Sequence, residues 1–98
     1  MDRQAHLDVD KYFWNKEYED VHSWLDSGYP AFAGRNPYKH WLEKHHQEAI
    51  TMEYGAFTPK YNAAYVHILM DFMSHFGVAF VPKNRGELEE MLTSLNIL

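Results

Sequence analysis

The chain of 98 residues contains no cysteine, no cluster of basic residues and no long apolar run. Without cysteine, disulfides and thiolate metal sites are excluded. The net charge of −5 and the scattered Lys and Arg argue against sequence-independent nucleic-acid binding, which depends on clustered positive charge. Since no stretch of about 18 apolar residues is present, we expect no membrane span. The polar N-terminus does not resemble a signal peptide, so we expect a cytoplasmic protein.

Apolar and aromatic residues are plentiful, at 46% and 16% of the chain. This composition is typical of a globular protein, and the length suits one domain over residues 1–98 with a modest core. The large area that each aromatic ring buries helps so short a chain to fold.

The spacing of apolar residues predicts an all-α domain, a compact bundle of three main helices and a short C-terminal helix. The predicted helices cover residues 16–27, 36–54, 62–77 and 87–95. Residues 1–14 show no clean period and predict an irregular lead-in that lays aromatic side chains on the core. The β-branched run at 78–81 predicts an extended segment or a short edge strand.

Capping residues support these boundaries. Asn36 followed by Pro37 is a strong signal for a helix start. Gly55 and Gly77 are typical helix stops. Pro59 argues against an early start of the third main helix, because the residue before proline avoids helical backbone angles.

The third main helix carries the most informative pattern. It is apolar on nearly every side, which predicts burial, yet it places His67, Asp71 and His75 on one face at intervals of four residues. An unpaired buried carboxylate costs several kcal/mol, so Asp71 needs a histidine, an arginine or a metal ion as its partner.

Each main helix offers histidine or aspartate toward the interior. We therefore predict a divalent transition metal, namely Zn, Fe, Mn, Ni or Co, because imidazole and carboxylate suit these ions. We expect His40 at the rim, His75 as an accessory residue, His6 on the surface and one histidine of the doublet 45–46 facing solvent. The predicted metal ligands are His22, Asp26, His45, His46, His67 and Asp71.

The order of His22, the doublet His45–His46 and Asp71 is similar in layout to the HD-type metal phosphohydrolases. That family has a His-Asp doublet, whereas this chain has histidine at position 46 and is much shorter. The resemblance implies a metal-dependent phosphoester hydrolase.

A closer resemblance covers residues 20 to 92. It includes Val21 to Asp26, His40, His45–His46, Ile50, Gly55, Ala64, His67 to Leu69, Asp71 and Pro82. This pattern resembles a family of small helical, histidine-rich bacterial and phage proteins with no assigned activity.

Three other interpretations remain open at this level. The histidines and aspartates can form a metal-free hydrogen-bonded network. Buried histidines can instead act as a pH-sensitive packing device. The chain can also be a non-catalytic phage or regulatory interaction module, with an acidic face at Glu17, Glu19 and Asp20 that binds a protein partner. Aromatic residues of the lead-in and residues 78–81 are candidate contacts for a homodimer.

Overall fold

The computed structural model describes residues 3–27 and 41–97, and within these ranges it contains helices and no strands. The prediction of an all-α fold is therefore confirmed. None of the described helices is both long and apolar enough to cross a membrane. The helices are α1 (Arg3–Trp14), α2 (Glu19–Asp26), α3 (Trp41–Lys44), α4 (Gln47–Tyr54), α5 (Pro59–Phe76) and α6 (Arg85–Ser94).

The prediction of an irregular lead-in is wrong, because residues 3–14 form α1. The buried residues of α1 are His6, Leu7 and Asp10, which lie on one face at helical spacing. Two of these three side chains are polar, so a search for apolar periodicity does not detect the helix. Asp8 and Asp10 also alternate with Val9, which mimics the period of a strand.

Most of the lead-in aromatics do not reach the core. Tyr12 and Phe13 are 85% and 61% exposed, and only Trp14 packs against the core cluster. Asn15 then adopts a left-handed backbone with φ 53°, which ends α1. The next helix begins at Glu19, three residues later than predicted.

The long helix predicted over 36–54 is interrupted at the histidine doublet. The part of it before residue 41 lies outside the described residues. His46 has extended backbone angles (φ −149°, ψ 161°), and its Nδ1 accepts a hydrogen bond from the Ala49 N–H as the N-cap of α4. Both His45 and His46 are buried, so the prediction that one of them faces solvent is wrong. That prediction assumed a continuous helix, which separates neighbouring side chains by about 100°.

The central helix α5 begins earlier than the proline signal indicated. Pro59 is its first residue, and the Thr58 side chain caps it by accepting from the Tyr61 N–H. Proline favours extended angles for the residue before it, which is the conformation of an N-cap. The predicted stop is confirmed, because Gly77 follows α5 in a left-handed conformation with φ 70°.

Residues 78–81 form no strand, and the chain then runs along the start of α4. Val81 is buried, and its carbonyl accepts a hydrogen bond from the Gln47 side chain. The Pro82 carbonyl accepts from the Gln47 N–H, which satisfies one of the free amides at that helix start. The Asn84 side chain caps α6.

The core lies between α5 and its neighbours α2 and α4, and α6 packs against α3. Its fully buried apolar side chains include Val21, Leu25, Ile50, Ile68, Phe72, Leu88 and Leu92. His22 and His67 meet at the interface between α2 and α5.

Candidate metal centre

Three helices each carry a histidine and an aspartate that are four residues apart, and all six of these residues except Asp26 are buried. This spacing places both side chains on one face of a helix, about one turn from each other. The pairs are His6 with Asp10 on α1, His22 with Asp26 on α2, and His67 with Asp71 on α5. His45 joins them from the junction of α3 and α4. We call these seven side chains the His/Asp cluster.

Asp71 lies at the centre of three imidazoles. Its Oδ1 is 3.2 Å from His6 Nε2, and its Oδ2 is 3.3 Å from His45 Nε2 and 3.1 Å from His67 Nε2. Burial alone would raise the pKa of Asp71, but hydrogen bonds from His45, His6 and His67 hold it well below its usual range. The carboxylate is therefore ionised, and its charge is directed toward the histidines.

A second series of contacts leads away from His67 toward α1. His67 Nδ1 is 2.6 Å from His22 Nδ1, and His22 Nε2 is 2.6 Å from Asp10 Oδ2. The same Asp10 oxygen accepts the backbone N–H of Tyr18 at 2.9 Å. Asp10 thus ties the chain between α1 and α2 to the two histidines.

Two neutral imidazoles cannot place a proton in every contact between Asp10 and Asp71. Asp10, His22, His67 and Asp71 are joined by three contacts, whereas two neutral imidazoles carry only two N–H protons. To place a proton in each of the three contacts, a third proton is required, or a metal ion must take the place of one proton.

The charged groups around His67 favour a positive charge on this histidine. Burial opposes a charge there, but hydrogen bonds to Asp26 and Asp71 outweigh burial and raise the pKa of His67. Burial and the neighbouring charge of His67 both lower the pKa of His22. Of the two histidines, His67 is therefore the one whose surroundings favour a positive charge.

The atoms around His67 Nε2 are spaced as metal ligands are. Besides Asp71 Oδ2, this nitrogen is 3.7 Å from Asp26 Oδ1. One ligand atom each from Asp26, His45 and His67 lies within 4.8 Å of the other two. Bonds of about 2.1 Å to one ion separate neighbouring ligand atoms by about 3.0–3.5 Å, so small side-chain shifts would bring these atoms onto an ion.

A second group, His6, His22 and His67, also has its nitrogens within 4.8 Å of one another. However, the His6 and His67 rings are stacked at 3.8 Å with an interplanar angle of 15°. Lone pairs lie in the ring planes, so stacked rings do not point at a common ion. The His45 and His67 rings meet at 64°, which favours the group with Asp26.

Of the six ligands predicted from the sequence, the structure brings five into the His/Asp cluster. His46 is the exception, because Nδ1 accepts the Ala49 N–H and Nε2 lies 3.1 Å from the Leu42 carbonyl. Both of its nitrogens are used to join α3 to α4, which leaves neither for an ion. The predicted rim residue His40 lies outside the described residues. His75 is exposed on the last turn of α5.

Two members of the cluster were missed by sequence reasoning. His6 was expected on the surface but is 3% exposed, and Asp10, in the predicted irregular lead-in, is 1% exposed. The signal that identifies them is the repeated spacing, because His6 and Asp10 stand four apart like the pairs on α2 and α5.

The cluster reaches solvent at Asp26. The Asp26 side chain is 39% exposed, compared with 7% for Asp71 and 1% for His67. Its Oδ1 faces His67 Nε2, whereas its Oδ2 lies 3.5 Å from Arg3 Nη2. Burial would raise the pKa of Asp26, but its contact with His67 and the charge of His45 together lower it.

Comparison with protein-family models, curated proteins and solved structures finds no match to this chain. Among the described residues, the feature that points to a function is therefore the set of side chains that can hold a metal ion.

Proposed function

We propose that the protein binds a divalent transition metal ion between α2, α5 and the junction of α3 and α4. The ligands are Asp26, His45, His67 and Asp71. The observation that carries the proposal is the arrangement around His67 Nε2, where two carboxylates and a second imidazole lie close enough to share one ion. Zn, Fe, Mn, Ni and Co all accept nitrogen and oxygen ligands of this kind.

The remaining cluster residues support the ligands. His22, held by Asp10, lies against Nδ1 of His67 and so directs Nε2 toward the ion. His6 contacts the Asp71 oxygen that does not face His67. Outer contacts of this type orient ligands and raise metal affinity.

We propose phosphoester hydrolysis as the reaction. A divalent ion supplies Lewis acidity and lowers the pKa of a bound water. Two features of the site support such chemistry. Asp26 opens to solvent, so a substrate can approach, and the imidazole of His6 contacts Asp71 without belonging to the proposed ligands, so it can carry a proton.

The test is elemental analysis of protein purified without a His tag. We expect about one equivalent of metal in the wild type and little in Asp71→Asn, which keeps the side-chain shape but removes the charge. Asp20→Asn is the matched control, because the same change at an exposed aspartate should leave the metal in place. A wild type without metal, whose melting temperature does not respond to chelator, would contradict the proposal.

The alternative function is a protein-interaction module, and one observation favours it. Tyr12 and Phe13 pack edge to face on each other while remaining largely exposed. A few residues further along the chain, Glu17 and Glu19 are also exposed. Large exposed aromatic side chains are typical of contact surfaces, including those of homodimers.

This alternative is tested by a pull-down with surface variants. Replacing Glu17, Glu19 and Asp20 by their amides, or Tyr12 and Phe13 by serine, should abolish capture of the partner, while Asp71→Asn should not. Sedimentation of the purified chain separates self-association from binding of another protein. The alternative fails if the wild type is monomeric and the surface variants capture the same proteins as the wild type.

A further inference from the structure

The proposed metal position has one solvent-facing side, and an arginine lies there. Arg3 Nη2 is 3.5 Å from Asp26 Oδ2, and Arg3 Nη1 is 3.1 Å from Ser23 Oγ. Ser23 and Asp26 are three residues apart on α2, so they lie on the same face of the helix. Arg3 is half-buried, which holds the guanidinium at the opening while leaving it accessible.

The contact between Arg3 and Asp26 leaves donors of the guanidinium available. Charge-assisted hydrogen bonds are usually about 2.7–2.9 Å long, so the separation of 3.5 Å is a weak contact. The guanidinium has five N–H donors, and among the described residues Ser23 and Asp26 engage one each. Planar donors of this kind match two oxygens of an anion.

Charge also favours an anion at this opening. A divalent ion together with Arg3 carries one more positive charge than Asp26 and Asp71 neutralise. Lys44 adds positive charge to the same end of α2, because its ammonium group hydrogen-bonds to the Trp24 carbonyl and to the Ser27 hydroxyl. With the ion bound, the opening would be positive in a chain whose net charge is negative.

We propose that this opening binds the phosphoryl group of the substrate, with one oxygen on the ion and a second on Arg3. The proposal rests on the proposed function, because it requires the ion at Asp26. It assigns Arg3 to substrate binding and gives the substrate class as a phosphoester. A tetrahedral phosphoryl group suits the position because its oxygens can meet the ion and the guanidinium together.

The test measures the binding of inorganic phosphate to the metal-loaded protein by calorimetry. The variants are Arg3→Gln, Arg3→Lys and the control Arg85→Gln, an exposed arginine that pairs with Glu43. We expect Arg3→Gln to weaken phosphate binding about tenfold or more, as for the loss of one charged hydrogen bond. Arg3→Lys should be intermediate, since it keeps the charge without the planar donors. Arg85→Gln should bind phosphate as the wild type does.

Metal content is measured in the same samples, so the two proposals can fail separately. Unchanged metal with weakened phosphate binding in Arg3→Gln supports the assignment. Equal phosphate affinity in the wild type and Arg3→Gln, with metal bound in both, overturns this inference alone. Loss of metal in Arg3→Gln shows that Arg3 only positions Asp26 and also overturns it. Acetate binding as tightly as phosphate overturns the phosphoryl class. Absence of metal from the wild type overturns both proposals.

Discussion

The central helix α5 buries two kinds of side chain next to each other. Ile68 and Phe72 are fully buried in the apolar core, and His67 and Asp71 are buried in the His/Asp cluster. Each pair spans four residues, and the two pairs are offset by one residue, which turns them about 100° apart. The apolar side requires only complementary shape, whereas the polar side requires partners of opposite charge and correct protonation.

This difference means that the two sides respond differently to substitution. Removing a methyl group from the core leaves a small cavity, and the remaining side chains stay satisfied. Removing one member of the cluster leaves its partners buried without a counter-charge. The predictions below compare the two sides, starting with the largest expected effect.

The largest effect is expected for Asp71→Ala. Three imidazoles contact this carboxylate, so its removal should lower the free energy of unfolding by about 3–5 kcal/mol. It should also abolish metal binding. Urea denaturation with and without chelator measures both effects, because chelator should destabilise the wild type and leave the variant unchanged. A variant that keeps metal would show that Asp71 is not a ligand.

A smaller effect is expected for Asp10→Asn, which acts through His22. The amide oxygen can still accept from His22 and Tyr18, but it lacks the negative charge that strengthens the His22 contact, so His67 should lose part of its orientation. We expect metal affinity to fall about 10- to 100-fold, as for other outer contacts of metal sites. Competition with a chromophoric chelator measures the affinity, and Asp8→Asn on the exposed side of α1 is the control. Equal metal affinities in the wild type and Asp10→Asn would show that Asp10 and His22 do not support the metal ligands.

Lowering the pH should reduce the stability that the polar side of α5 contributes and leave the contribution of the apolar side unchanged. The folded pKa of Asp71 lies below the ordinary value of 3.8, so its contribution to stability is fully present above 3.8 and is lost as the pH falls toward the lower folded value. Denaturation in chelator at about pH 5 and about pH 3 tests this sign. The wild type should lose more stability than Asp71→Asn over that interval. An equal loss of stability in the wild type and Asp71→Asn would show that a group other than Asp71 causes the sensitivity to acid.

The smallest effect is expected for Ile68→Val on the apolar side. Loss of one buried methyl group should cost about 1 kcal/mol, and metal affinity should not change. Thermal melting and the same chelator competition measure the two quantities. If metal affinity fell together with stability, the two sides of α5 would not be independent.

The sequence predicted the apolar side of this helix better than the polar side. The buried spacing of Ile68 and Phe72, the stop at Gly77 and the need of Asp71 for a partner all follow from local patterns. Apolar periodicity identifies a helix only when its buried face is apolar. The buried face of α1 carries His6 and Asp10, so the helix was read as irregular.

The break at the histidine doublet could not be predicted for a related reason. Imidazole is not among the side chains that usually cap helices, so His46 gave no signal that a new helix begins after it. A continuous helix would have directed one of the two histidines to solvent. The break lets His46 bond to the backbone while His45 enters the cluster.

X-ray absorption spectroscopy of the metal-loaded wild type and of His45→Gln tests the central claim most directly. The account predicts a first shell of nitrogen and oxygen at about 2.0–2.2 Å, with the imidazole scattering of two histidines. His45→Gln should show one histidine fewer. A first shell without imidazole, or an unchanged histidine count in His45→Gln, would contradict the claim that the ion lies between Asp26, His45, His67 and Asp71.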